Sequence, residues 1–301
     1  MNSTRSTPEY RVGTASWTDP TLLQAGFYPP SAKTAEARLR FYADHFNTVE
    51  VDSTYYALPS ERNAALWALR TPENFRFNVK AFALLTQHHA ETRALPQPVK
   101  ALLSKAALGE PRLGRPAPAV VDLCFEMFRG ALAPLREAGK LGCILFQFPP
   151  WFTARESNEA YIDFCRERMP GDRLAVELRH ASWFDGRTQR TLDFLAQRKL
   201  ALVCFDAPEA PSIAKIPFTT TTNVAYARFH GRNRQAWFQR KTTAAERFKY
   251  LYPDDELRDC AHKVRCLANA SVVYVIFNNC YGDYGTRNAT TMKQLLAGDA
   301  G

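Results

Sequence analysis

The chain has 301 residues, 46% of them hydrophobic and 23% charged, which excludes a disordered polymer and allows a sizeable core. Its 39 Lys and Arg against 30 Asp and Glu give a formal net charge of +9, an excess that favours a phosphorylated or polyanionic partner over a neutral one. No apolar run approaches the roughly 18 residues of a membrane-spanning helix, and Met1–Glu9 lacks the apolar core of a secretory leader, so neither membrane nor export is expected.

Met1–Glu9 is expected to be a flexible N-terminus. Eight β-rich runs then follow in chain order: Arg11–Thr14, Thr48–Val51, Phe75–Lys80, Gly142–Phe148, Leu174–Leu178, Ala201–Asp206, Val224–His230 and Val272–Asn278. Helical patterns cover Thr34–His45, Ser60–Arg70, Ala119–Ala138, Asn158–Arg168, Arg187–Arg198, Asp254–Asn269 and Asn288–Leu296. Ser60, after Pro59, suits an N-cap, and Asp254 opens its helix in the same way. Only the sixth strand lacks a full helix, because Ala207–Ile213 is short and Pro-rich. Eight strands, seven of them followed by a helical pattern, predict an α/β fold, a single (β/α)8 TIM barrel filling one domain. An open doubly wound sheet is the alternative, but no Gly-rich dinucleotide turn follows any strand.

Two strand-to-helix connections are long. Leu84–Pro118 holds five prolines and carries five Lys or Arg against two acids; Gly231–Lys249 carries six against one. In a barrel both would emerge on the face that bears active sites, as functional loops with a basic rim, unless the first is a disordered insertion. Seven cysteines (124, 143, 165, 204, 260, 266 and 280) form no C-x-x-C, which reads as reduced thiols in a cytoplasm and not as a disulfide frame or zinc site. Cys204 has no nearby His in sequence and reads as a structural thiol.

Alternation along the strands places Tyr226, Arg228 and His230 on the inner side of strand seven. The same reading turns Glu50 and Asp52, Asn78 and Lys80, Gln147, Glu177 and Arg179, Asp206, and Asn278 inward. Charges gathered at strand ends are costly to fold unless they pair or serve a ligand. A self-satisfied ion network is therefore the competing reading to a ligand site. Aromatic residues follow the strands: Trp17, Tyr55 and Tyr56, Phe148 and Trp151, Trp183, Trp237, Tyr281 and Tyr284. Such rings stack on sugars or bases, or pack a core.

The strings that carry these residues resemble a known family. Val12 to Trp17 (VGTASW), Tyr42 to Tyr56 (YADHFNTVEVDSTYY), Phe75 to Lys80, Phe146 to Pro150 (FQFPP), Glu177 to Phe184 (ELRHASWF), Arg228 to Arg232 (RFHGR) and Phe277 to Asn279 resemble the YecE-like family, domain of unknown function 72. The resemblance spans nearly the whole chain and implies a TIM barrel. It implies no activity; likeness to endonuclease IV-type and sugar-isomerase barrels is one of fold alone. The chain departs from the family pattern at Cys280, after Asn279, and in its longer third loop.

Three functions compete. In the first, Glu50, Asp52, Glu177, Asp206 and His230 hold a divalent cation, Mg2+ or Mn2+, for phosphoester hydrolysis of a nucleic acid such as DNA, or of a sugar phosphate. Lys80, Arg179, Arg228 and Arg232 would then steady the phosphate charge. Only His230 is clearly inward, so a His-rich zinc site is not expected; His88 and His89 could swing in from the third loop, but adjacent loop histidines more often read as polar surface. In the second, Glu50 and Glu177 act as paired carboxylates of a metal-free carbohydrate enzyme. In the third, the protein binds nucleic acid without turnover. The expected ligand contacts are Trp17, Tyr55, Gln147, Arg179, Trp183, Arg228, Arg232, Trp237, Asn278 and Asn279. The leading expectation is a phosphate-bearing ligand, nucleic acid first, at the C-terminal barrel mouth, with metal-assisted phosphoester hydrolysis as the candidate chemistry.

Overall fold

The computed structural model describes residues 7–210, 212–237, 239 and 243–298. Its class is the expected (β/α)8 one, with eight parallel strands: β1 (Glu9–Thr14), β2 (Thr48–Val51), β3 (Arg76–Lys80), β4 (Leu141–Gln147), β5 (Leu174–Glu177), β6 (Leu200–Asp206), β7 (Val224–Phe229) and β8 (Val272–Phe277). The longer helices are α1 (Ala35–His45), α2 (Glu61–Leu69), α3 (Pro118–Ala131), α4 (Glu156–Arg168), α5 (Thr188–Gln197), α6 (Asp254–Arg265) and α7 (Tyr284–Ala297). Strands such as β6 and β8 are almost wholly buried, which explains why they read as unbroken apolar runs and not as alternating ones.

Contacts divide the chain into two compact units. The first comprises Met1–Glu50, Gln189–Pro211 and Lys215–Gly301. In it β1 pairs with β8, β8 with β7 and β7 with β6, all parallel, and the Ala15–Glu50 bridge brings β2 beside β1. Tyr42 on α1 ties this sheet to its helix: its hydroxyl accepts from Thr14 N (2.8 Å) and donates to the Thr48 carbonyl (3.2 Å). Glu9, the last residue of the expected flexible segment, instead opens β1 and donates its N–H to the Ser271 carbonyl; residues 1–6 lie outside the described residues.

The second unit comprises Val51–Thr188 and Ser212–Ala214. Here β3 pairs with β4 and β4 with β5. The β3–β4 register shifts between Phe77 and Val79, and Asn78 Oδ1 takes the Cys143 N–H at 2.8 Å. Asn78 thus satisfies the ladder itself. Ser60 caps α2 as expected, accepting from Asn63 N at 3.2 Å. At the other end of α2, Lys140 Nζ donates to the Ala68 and Thr71 carbonyls, both at 2.6 Å. These are carbonyls that a helix end leaves without partners. Lys140→Met is therefore expected to destabilise the protein by about 1–2 kcal/mol, read from the urea midpoint at unchanged slope.

Several elements differ from the sequence reading. The helix expected over Ala119–Ala138 ends at Ala131, and a separate short helix spans Ala133–Glu137, because Pro134 cannot continue the hydrogen-bond ladder. At the start of α6, Pro253 takes the N-cap position and Asp254 is the first helical residue. Leu84–Pro118 is not disordered. It holds a two-stranded antiparallel pair (Ala90–Glu91 with Arg112–Leu113) and short helices over Gln97–Ala101 and Lys105–Gly109. Gly231–Lys249 likewise carries short helices over Arg234–Trp237 and Ala244–Arg247, with residues 238 and 240–242 outside the described ones. After β6 no described residue before β7 is helical, as the Pro-rich sequence predicts. Among the described residues no helix is long and apolar enough to cross a membrane.

Candidate functional site

The residues singled out in the sequence fall into clusters that differ in chemistry. In the first unit, Glu50 is buried and its carboxylate is filled. Oε1 accepts from Arg228 NH2 at 2.7 Å; Oε2 accepts from Arg228 Nε at 3.0 Å and from the Tyr226 hydroxyl at 2.8 Å. Arg228 is only 1% exposed, so this is a bidentate pair out of solvent. Beyond it, Arg228 NH1 stands 3.5 Å from His230 Nε2, and Asn278 Nδ2 stands 2.9 Å from His230 Nδ1. The His230 ring also packs against Trp237 and Phe248, with centroids 6.0 and 6.1 Å away.

A second network in the same unit pins the chain after β7. Asp206 accepts from Arg232 Nε (2.8 Å) and NH2 (2.7 Å) and from the Tyr252 hydroxyl (2.8 Å). Arg232 reaches on to Glu256 at 3.2 Å. Its hydrogen bonds with Asp206 raise its pKa, which fixes the guanidinium as a charged clamp. Gly231 adopts φ +82°, a conformation open to glycine, and its N–H donates to Tyr252 at 2.9 Å. Asn279, fully buried, donates to the Tyr250 carbonyl and to Asn288 Oδ1, both at 2.8 Å. Trp17 is buried and its carbonyl accepts from the Tyr28 hydroxyl. Cys280 places its sulfur 3.0 Å from the Ala15 carbonyl.

In the second unit, Glu177 Oε1 accepts from Gln147 Nε2 at 2.8 Å and from Arg179 Nε at 2.6 Å. Lys80, at the end of β3, sets Nζ over the Tyr55 ring, 4.3 Å from its centroid. The Tyr55 ring meets the edge of His88 at 5.2 Å. Burial pushes the Tyr55 hydroxyl up to about 12. Burial first, then the charges of Lys80 and Arg179 and the neighbouring His89, push His88 down to about 3. Lys80, Arg179, Tyr55 and His88 thus share one electrostatic environment, half-buried and not sealed. Beside it Tyr56 is 64% exposed and packs edge-on against Tyr55 at 5.1 Å; Trp151, after β4, is 48% exposed. Asp52 is half-buried and starts the turn that carries Tyr55.

Some expected ligand contacts are built differently. Trp183 is 1% exposed, donates its indole N–H to the Phe152 carbonyl at 2.7 Å and stacks on the Phe152 ring, so its faces are already covered. His88, read from sequence as polar surface, instead belongs to the Lys80–Arg179 cluster. Its signal was position alone, a histidine within eight residues of a strand end. Tyr252 and Glu256 anchor the Arg232 network and gave no sequence signal.

The expected carboxylates do not form a metal centre. Glu50 is filled by Arg228 and Tyr226, Asp206 by Arg232 and Tyr252, and Glu177 takes Gln147 and Arg179. Among the described residues no group of three or more His, Cys, Asp or Glu side chains is placed to hold an ion. All seven cysteines are free thiols, and burial pushes Cys204 up to about 12, which suits an inert core thiol.

Comparison with known proteins follows the same outline. The family model "Protein of unknown function DUF72" matches residues 11–300. UPF0759 protein YunF of Bacillus subtilis (strain 168) is 32% identical over 294 residues, 95% of this chain and 94% of that protein. UPF0759 protein YecE of Escherichia coli (strain K12) is 31% identical over 199 residues, 65% of this chain and 58% of that protein. A crystal structure of a DUF72 family protein from Enterococcus faecalis V583 aligns with TM-score 0.78 at 27% identity, covering 95% of each chain. One from Thermotoga maritima MSB8 aligns with TM-score 0.75 at 30% identity, covering 96% of this chain and 99% of the other.

Proposed function

We propose that this chain, which belongs to the DUF72 family, binds a phosphate-bearing ligand at the strand ends of its second unit, with single-stranded nucleic acid as the leading class. The observation that carries this reading is geometric: Lys80 Nζ lies 4.3 Å from the Tyr55 ring centroid, that ring meets His88 at 5.2 Å, and Arg179 in the same unit is half-buried. Lys80 and the half-buried Arg179, whose Nε is held by Glu177, stand at strand ends and suit a phosphate, and exposed Tyr56 and Trp151 offer ring faces for bases. The first unit supports the other half of the sequence reading. Glu50, Arg228, Asp206 and Arg232 pair with one another, as in a self-satisfied ion network. With its carboxylates filled, no metal-assisted step is proposed, and Glu50 is a poor partner for Glu177 in a carbohydrate mechanism.

Fluorescence anisotropy of a labelled single-stranded oligomer over a salt series tests this reading. The double variant Lys80→Gln/Arg179→Gln is expected to bind roughly tenfold more weakly at low salt and to flatten the log–log salt slope by about 1.4, two contacts at ~0.7 each. Equal affinity and slope in wild type and variant, with matching thermal melts, would refute the site.

A further inference from the structure

Lys80 and Arg179 recognise a phosphate whatever carries it; His88 adds a second chemistry. Ala83–Thr86 forms a 3-10 turn closed by Gln87 in the left-handed region, φ +61°, and the His88 N–H donates back to the Ala83 carbonyl at 3.0 Å. A non-glycine residue persists there only where its surroundings dictate the conformation. On the other flank His89 lies over Gly114, where a Cβ would come within 2.2 Å of the imidazole. The segment is held on both sides of His88.

The tautomer follows from hydrogen counting. The Thr86 hydroxyl donates its single proton to the Ala83 carbonyl at 3.2 Å. Against His88 Nδ1, 2.9 Å away, the same hydroxyl oxygen is therefore the acceptor, and Nδ1 carries the proton. Nε2 is left as a bare acceptor nitrogen in a place otherwise furnished with cations.

We propose that His88 Nε2 accepts a hydrogen bond from a hydroxyl next to the bound phosphate, which makes single-stranded RNA the preferred form of the ligand. This rests on the phosphate reading of the Lys80–Arg179 cluster. The 2′-hydroxyl is the donor that separates RNA from DNA beside an otherwise identical phosphate. A protonated imidazole would lose the acceptor; burial first, and then the charges of Lys80 and Arg179, favour the neutral ring.

The experiment compares labelled oligouridine with oligodeoxyuridine of equal length at one salt concentration. Wild type is expected to bind the RNA three- to tenfold more tightly, the effect of one net hydrogen bond. His88→Asn keeps an N–H for Thr86 but has no atom in place of Nε2, so it should lose the preference by weakening RNA alone. His88→Gln, which carries an amide oxygen further out, should keep part of it. On RNA addition the 15N resonance of wild-type Nε2 should shift, a response a purely structural histidine would not give. Equal binding of both oligomers by wild type, with both weakened in Lys80→Gln/Arg179→Gln, overturns the role of His88 and leaves the phosphate site standing. Binding of neither oligomer overturns both.

Discussion

Replacing Glu50 by alanine is expected to cost about 3–5 kcal/mol of folding stability, the largest single-residue effect in this protein. The substitution strands the Arg228 guanidinium, 1% exposed, with its bidentate partner removed. It also takes the acceptor from the Tyr226 hydroxyl. The size comes from the penalty of a buried unpaired charge and not from the attraction of the pair, which desolvation largely offsets. That distinction has its own test. The triple variant Glu50→Leu/Arg228→Met/Tyr226→Phe removes both charges and the hydroxyl together and should recover most of the loss in urea unfolding. A triple variant no more stable than Glu50→Ala would show that packing, not charge, sets the cost.

Acid should destabilise the protein through His88. Its ordinary pKa of 6.5 applies in the unfolded chain, and the folded value is about 3. The unfolded state therefore takes up this proton first. The stability that neutral His88 contributes is complete above about pH 6.5 and is lost as pH falls toward 3. Between pH 7 and pH 5 the loss attributable to this one group is on the order of 2 kcal/mol. The causes, largest first, are burial, Lys80, Arg179 and His89, while Tyr55 closes one side of the ring. Stability curves of wild type and His88→Asn should converge by that amount over this interval. Parallel curves would place the acid sensitivity elsewhere.

The frame was legible because its signals are local. Eight β-rich runs recover β1 to β8 to within a residue or two, and alternation correctly set Tyr226 and Arg228 on the same side of β7 as each other, where both meet Glu50. What alternation cannot report is whether an inward charge finds a partner. Arg228 and Arg179 look alike in sequence, yet Arg228 is sealed against Glu50, 178 residues away, while Arg179 is half-buried and pairs with Glu177, two residues away. The third loop, read as a functional loop with disorder as the alternative, is ordered: the short Ala90–Glu91 and Arg112–Leu113 pair closes it, a long-range contact with no periodic signature. For His88 the sequence offered both a surface place and an inward swing, since nothing in its neighbours foretells the turn that carries it inward.

That pair of two-residue strands has a consequence for how such a protein diversifies. The segment between β3 and α3 is closed by its own ladder, so it behaves as a cassette: its length and composition can be rewritten while β3 and β4 keep their register. The cations stand on the frame, at Lys80 and Arg179, whereas the acceptor stands on the cassette. In the proposed site, exchange of this one segment would change the hydroxyl contact at His88 while leaving the proposed phosphate contacts at Lys80 and Arg179 in place.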